Sequence, residues 1–141
     1  RRQLTVDERQ NGNSVVFLLR MYGARFLFTG DMEKSAENAL LQRLRQSSPS
    51  ARPEPGIDVL KVAHHGSKSS TTDAWLDYWR PRAAVVSVGE NNLYGHPNAD
   101  VIRRLAERET DIFRTDRNGE VLFRVTKHGL RSETRFQAAA N

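Results

Sequence analysis

Apolar positions change their spacing several times along the chain, and each change marks an element. Residues 14–20 (SVVFLLR) and 25–29 (RFLFT) are short runs of valine, phenylalanine and leucine joined through Tyr22, Gly23 and Ala24. Two such runs around a tight turn predict a β-hairpin. Their largely apolar faces predict strands buried within a layered domain. From Met32 to Gln46 the apolar residues Ala36, Leu40 and Leu44 recur every four positions, with Ala39 and Leu41 widening the stripe and Lys34, Gln42, Arg43 and Arg45 opposite. That spacing is an amphipathic helix, and Asp31 stands where its N-cap would be. Residues 47–56 (SSPSARPEPG) carry three prolines and read as a flexible loop.

Strand character returns over 57–63 (IDVLKVA) and stops at His64-His65-Gly66-Ser67. Thr72 then caps a short helix bearing Ala74, Trp75, Leu76, Tyr78 and Trp79, closed by Pro81. Residues 83–88 (AAVVSV) form another buried strand, 89–97 (GENNLYGHP) a loop, and Asn98 caps a helix to about Glu109 with Val101, Ile102, Leu105 and Ala106 inward. Strands over 112–115, 121–126 and 130–136, the first two separated by an Asp116-Arg117-Asn118-Gly119 turn, precede an alanine-rich tail at 137–141. The order β-β-α-β-α-β-α-β-β-β predicts an α/β layered domain with a mixed sheet and flanking helices.

Composition narrows the classes. A length of 141 residues with 38% hydrophobic content suits one compact domain spanning 1–141. The formal charge of +5 is compatible with a polyanionic partner such as nucleic acid, and equally with a mildly basic soluble surface. With no cysteine, disulfides and thiolate metal sites are excluded. No apolar run approaches the roughly 20 residues of a membrane span. The chain begins at Arg1, which reads as an excised or processed piece of something longer.

Three polar clusters fall at strand ends, where open α/β sheets place their sites. In Thr29-Gly30-Asp31, the carboxylate can bridge two divalent cations, one on each oxygen, or cap the following helix. In His64-His65-Gly66-Ser67, adjacent strand residues point to opposite faces, so one imidazole serves as a ligand and the other as a neighbour unless the strand has turned. Two core histidines filling space at such a point would be costly. In Tyr94-Gly95-His96-Pro97, His96 shares a loop with Asn91 and Asn92, all able to hydrogen-bond a phosphate or water; a plain turn into the Asn98 cap is the alternative. Ser67, Lys68 and Asn92 are the candidate substrate contacts, a solvated lysine being the simpler reading of Lys68.

Taken together, NSVVFLLRMYGARFLFTGDMEKSAE, IDVLKVAHHGSKSS, AAVVSVGENNLYGHP and IFRTDRNGEV resemble the metallo-β-lactamase domain of the ComEC/Rec2 competence family, over residues 11–123. The resemblance implies the C-terminal part of an αββα sandwich with two divalent metal ions, zinc or manganese, at the sheet edge. It implies phosphodiester hydrolysis, with degradation of the non-transported DNA strand during natural competence as the role. On it, Asp31 bridges the ions, His65 is the late histidine ligand with catalytic His64 beside it, and His96 lies near the scissile phosphate. The family's His-x-His-x-Asp-His signature does not occur here, and the resemblance implies that it would belong to the first half of the domain, upstream of Arg1. The chain alone is therefore expected to bind metal weakly, to have little nuclease activity, and to cover its open sheet face by forming a homodimer or swapped dimer. The implied partners are DNA, single-stranded or duplex, and the remainder of a membrane protein, with this domain on the extracytoplasmic face. A choline-phosphate esterase-like hydrolase and a non-catalytic DNA-contacting module are the competing readings.

Overall fold

The computed structural model describes residues 13–47 and 56–136. All but the ends of the loop expected at 47–56, and the whole of the tail at 137–141, lie outside the described residues. Strands β1 (Phe17–Met21) and β2 (Ala24–Phe28) form the expected hairpin, with Gly23 at φ +85° in its turn. Helix α1 (Lys34–Ser47) leads to β3 (Val59–Lys61), α2 (Asp73–Trp79) to β4 (Ala83–Val86), and α3 (Ala99–Ala106) to β5 (Asp111–Arg114). A single helical turn, α4 (Thr115–Asn118), stands where a plain turn was expected, and β6 (Val121–Thr126) and β7 (Gly129–Thr134) close the chain as a separate hairpin. The main sheet runs β1-β2-β3-β4-β5, antiparallel at the first pair and parallel thereafter, so the sheet is mixed as expected.

Parallel strands need crossovers, and the helices supply them while covering one face. Leu27, Leu60, Val62, Ala84 and Val86 meet Leu41, Trp75, Leu76, Val101 and Leu105 in a single buried cluster. The predicted caps form: Thr72 Oγ1 accepts from Trp75 N and Asn98 Oδ1 from Asp100 N. Helix α1 departs from its predicted face. It starts at Lys34, too late for Asp31 to cap it, and Ala39 is exposed while Glu37 is fully buried. Ala106, expected inward on α3, is exposed because the helix ends there.

The opposite face carries a smaller cluster, Ala24, Phe26, Val59 and Ala83, against which Phe113, Phe123, Val125 and Leu130 pack from β5 and the terminal hairpin. Cover is partial. On the edge strand β1, Phe17, Leu19 and Met21 remain exposed, although Phe17 stacks on Phe28 at 4.6 Å between ring centres. Burial of both faces, expected for these first strands, therefore holds for β2 and not for β1.

Candidate metal and nucleic-acid site at the sheet edge

Strands β2 to β5 are parallel, so the loops leaving their C-terminal ends gather at one edge. The loop after β2 brings Asp31, the turn after β3 brings His64 and His65, and the loop after β4 brings His96. The backbone stitches them together. His64 N donates to Gly30 O at 3.0 Å, and Asn98 N donates to Gly66 O at 2.8 Å. Gly66 permits a close approach that no other residue could make, since a Cβ there would lie 2.6 Å from Pro97 Cβ.

The histidine pair sits on a 3-10 turn, Ala63–Gly66, rather than on the strand. β3 ends at Lys61, before the expected limit at Ala63, and His64, His65 and Gly66 take φ of +45°, +54° and +80°. Two consecutive left-handed non-glycine residues cost about 1–2 kcal/mol each, strain of the kind that clusters at functional sites. What holds them is a buried clip. The Glu37 carboxylate accepts from Thr71 N, from Thr72 N at 2.9 Å and from Thr72 Oγ1 at 2.7 Å. Arg104 donates to the carbonyls of Ser70 and Thr71, and Ser70 Oγ to those of Ala63 and Ser67.

Asp31 and His65 face each other, His65 Nε2 lying 3.7 Å from Asp31 Oδ1, with both side chains about half exposed (47% and 48%). His65 Nδ1 is 2.7 Å from Ser87 O. A carbonyl can only accept, so Nδ1 carries the proton and a neutral ring points its Nε2 lone pair at the carboxylate. Two lone-pair donors converging this way call for a proton or a cation between them. Imidazole and carboxylate ligands of one ion sit about 2.0–2.2 Å from it, hence roughly 3–4 Å from each other. Asp31 and His65 thus fit one shared cation as two of its donors. Among the described residues no group of three or more His, Cys, Asp or Glu side chains is placed to hold a metal, so the rest of a coordination shell is not found there.

His64 turns the other way. Its Nδ1, buried and without a hydrogen-bond partner among the described residues, is 3.5 Å from Glu33 Oε1, and its ring centre is 5.8 Å from that of His96. His96 has its pKa lowered by burial first and then by the charges of His64 and His65. Lys61, a lysine inside an apolar strand, has its pKa lowered by burial against an opposing pull from Asp31. Its Nζ donates to Val62 O at 2.9 Å, and its own carbonyl accepts from buried Thr29 Oγ1 at 2.7 Å.

The three candidate substrate contacts separate. Lys68 is exposed. Ser67 is buried, with its Oγ 3.1 Å from Ser69 Oγ, so its hydroxyl serves the loop and does not face outward. Asn92 is committed at both ends to His96, whose N donates to Oδ1 at 2.8 Å and whose O accepts from Nδ2 at 2.7 Å; it positions that histidine. Glu33, Glu37, Lys61 and Arg104 were missed from sequence. Lys61, a lone cation in IDVLKVA, carried a visible signal, whereas the others look like ordinary polar helix residues.

Helices on a mixed sheet, a second β layer, and an aspartate and histidines at the strand ends define the class. The chain belongs to the metallo-β-lactamase superfamily, whose sequence pattern matches residues 8–90. Within it, the chain is similar to a region of three larger proteins. It is 35% identical over 115 residues to ComE operon protein 3 of Bacillus subtilis strain 168, covering 82% of this chain and 14% of that protein. It is 31% identical over 123 residues to competence protein ComA of Neisseria gonorrhoeae, covering 87% and 17%. It is 33% identical over 116 residues to recombination protein 2 of Haemophilus influenzae strain Rd, covering 82% and 14%. The chain therefore spans a small fraction of these relatives. It is a metallo-β-lactamase region of the ComEC/Rec2 competence type. Among the described residues no helix is long and apolar enough to cross a membrane.

Proposed function

We propose that the chain forms part of a two-metal hydrolase domain acting in bacterial DNA uptake, where it cleaves phosphodiester bonds of the strand that is not transported. The convergence of Asp31 and His65 at 3.7 Å on the sheet edge carries this reading, with the competence relatives supporting the substrate class. Two divalent cations, zinc or manganese, would supply a water of lowered pKa and neutralise charge developing on phosphate oxygens. Asp31 and His65 would hold the cation they share, and Ser87 O keeps the His65 ring turned towards it. His96, neutral at ordinary pH because burial and the neighbouring histidines lower its pKa, is suited to accept a proton or a hydrogen bond beside the phosphate. His64, between Glu33 and His96, links that loop to the metal-holding turn.

The half-exposed rim formed by Asp31 and His65 suits a polymer better than a small enclosed phosphoester such as a choline phosphate. On the same reading the remainder of a membrane-anchored parent covers the open face of β1, outside the cytoplasm. A second copy of the chain would cover it in isolation. The test is a Mn²⁺- or Zn²⁺-dependent nuclease assay on the chain joined to its upstream segment, with metal content measured after dialysis. Asp31→Ala and His65→Ala are expected to lower turnover at least 100-fold, with metal affinity down about 10–100-fold. Unchanged turnover in both variants would remove the assignment.

A further inference from the structure

Leu93 and Tyr94 are the most exposed large apolar side chains of the loop after β4, at 99% and 83%. Tyr94 is not loose. Its ring lies at 20° to the His96 imidazole with centres 6.0 Å apart, and His96 is braced by Asn92 and by the Gly66–Pro97 contact described above. The tyrosine ring thus lies nearly parallel to a histidine of the site at an offset, and most of its surface is open. We propose that Tyr94, with Leu93 beside it, is a stacking platform for an unpaired base, so that this edge engages single-stranded DNA with a base on Tyr94 and its phosphate towards His96. The proposal rests on the DNA reading above and adds strandedness to it.

A base fits what is exposed. Every nucleobase presents a flat face to a tyrosine, so one open ring suffices, and such stacking tolerates any sequence. A protein partner would need a broader apolar surface. The other exposed large apolar residues described lie on different elements: the β1 hairpin and the region of the terminal hairpin. In a duplex the base faces are occupied by their neighbours, so the platform discriminates against paired DNA.

The test is equilibrium binding of the 141-residue chain to three labelled probes of equal length, read by fluorescence anisotropy. The probes are a thymidine strand, the same phosphate backbone with abasic sites throughout, and a blunt duplex. The chain is expected to bind the thymidine strand about tenfold tighter than the abasic one, and tighter than the duplex. Tyr94→Ala should bring the thymidine-to-abasic ratio close to one, Tyr94→Phe should keep it, and Leu93→Ser should lower it partly. A wild-type ratio near one, or a ratio that survives Tyr94→Ala, would overturn the platform while leaving the DNA reading in place. No binding to any probe would sink the DNA reading itself, and this proposal with it.

Discussion

Residues 62–72 and residues 89–97 leave neighbouring strands at the same edge of the sheet and are held in opposite ways. The first segment is pinned from both sides of the helical layer, by Glu37 of α1 and Arg104 of α3, and most of its hydroxyls bond inward. The second is tied internally by the Asn92 side chain and, just past its end, by the Asn98 N–H bonded to Gly66 O, and it presents Leu93 and Tyr94 to solvent. The difference matches two chemical tasks. On the proposed function, the fixed segment would hold metal and the open one would meet a flexible polymer, since ligands act best when preorganised and binding loops when accessible.

The contrast can be broken most severely at Glu37. Its carboxylate satisfies two backbone amides and a hydroxyl, with the side chain wholly buried. Glu37→Ala would leave those donors without acceptors, at an expected loss of about 3 kcal/mol. Glu37→Gln should lose less, since one acceptor oxygen remains. Urea denaturation measures both; a change under about 0.5 kcal/mol for the alanine variant would mean that the clip does not hold the turn.

Gly66 tests the seam between the two segments. Alanine there is strained at φ +80° and would drive its Cβ into Pro97 at 2.6 Å. The expected cost is about 2 kcal/mol, from left-handed strain and overlap together. A shift in the His96 ring resonances should accompany it, because Pro97 must move. Wild-type stability and unshifted His96 signals would show that the two segments are not in register contact.

Much of this architecture is legible in the sequence, and the gaps have physical causes. Alternation of apolar runs with a helical period finds every main-sheet strand, and Thr72 and Asn98 mark their helices because capping is a local interaction. Asp31, His64 and His65 stand out because they follow directly on apolar strands, and His96 because it sits in the polar loop after β4. Glu37 is invisible to periodicity: it takes a buried place on α1 only because Thr71 and Thr72, some 35 positions later, supply donors. Asn92 and Ser67 are readable as polar loop residues, but only geometry shows that their bonds turn inward. That β1 is open while β2 is covered cannot be read from periodicity, because apolar strands read alike whether one face or both are covered.

A smaller effect separates positioning from stability. Asn92→Ala removes hydrogen bonds that are partly solvent-screened, so the expected stability loss is below about 1 kcal/mol. Protection of the His96 amide against hydrogen exchange should nonetheless fall severalfold, while the amides of Thr71 and Thr72 keep theirs. Equal loosening of both segments would erase the distinction drawn between them.

The slightest expected effect is one of pH. Burial first, and then the electrostatic influence of His64 and His65, holds the His96 pKa below its usual value of 6.5. The unfolded chain then binds a proton more readily than the folded one. The stability this contributes is complete above about pH 6.5 and is lost as pH falls through the folded-state value. Proton NMR titration should place the His96 midpoint below the ordinary imidazole value of 6.5. His64→Ala should move it part of the way back, because desolvation, the larger cause, remains. A His96 midpoint at or above 6.5 would mean that the loop does not bury the ring against the histidine turn, and the proposed link from Tyr94 through His96 to Asp31 and His65 would lose its physical basis.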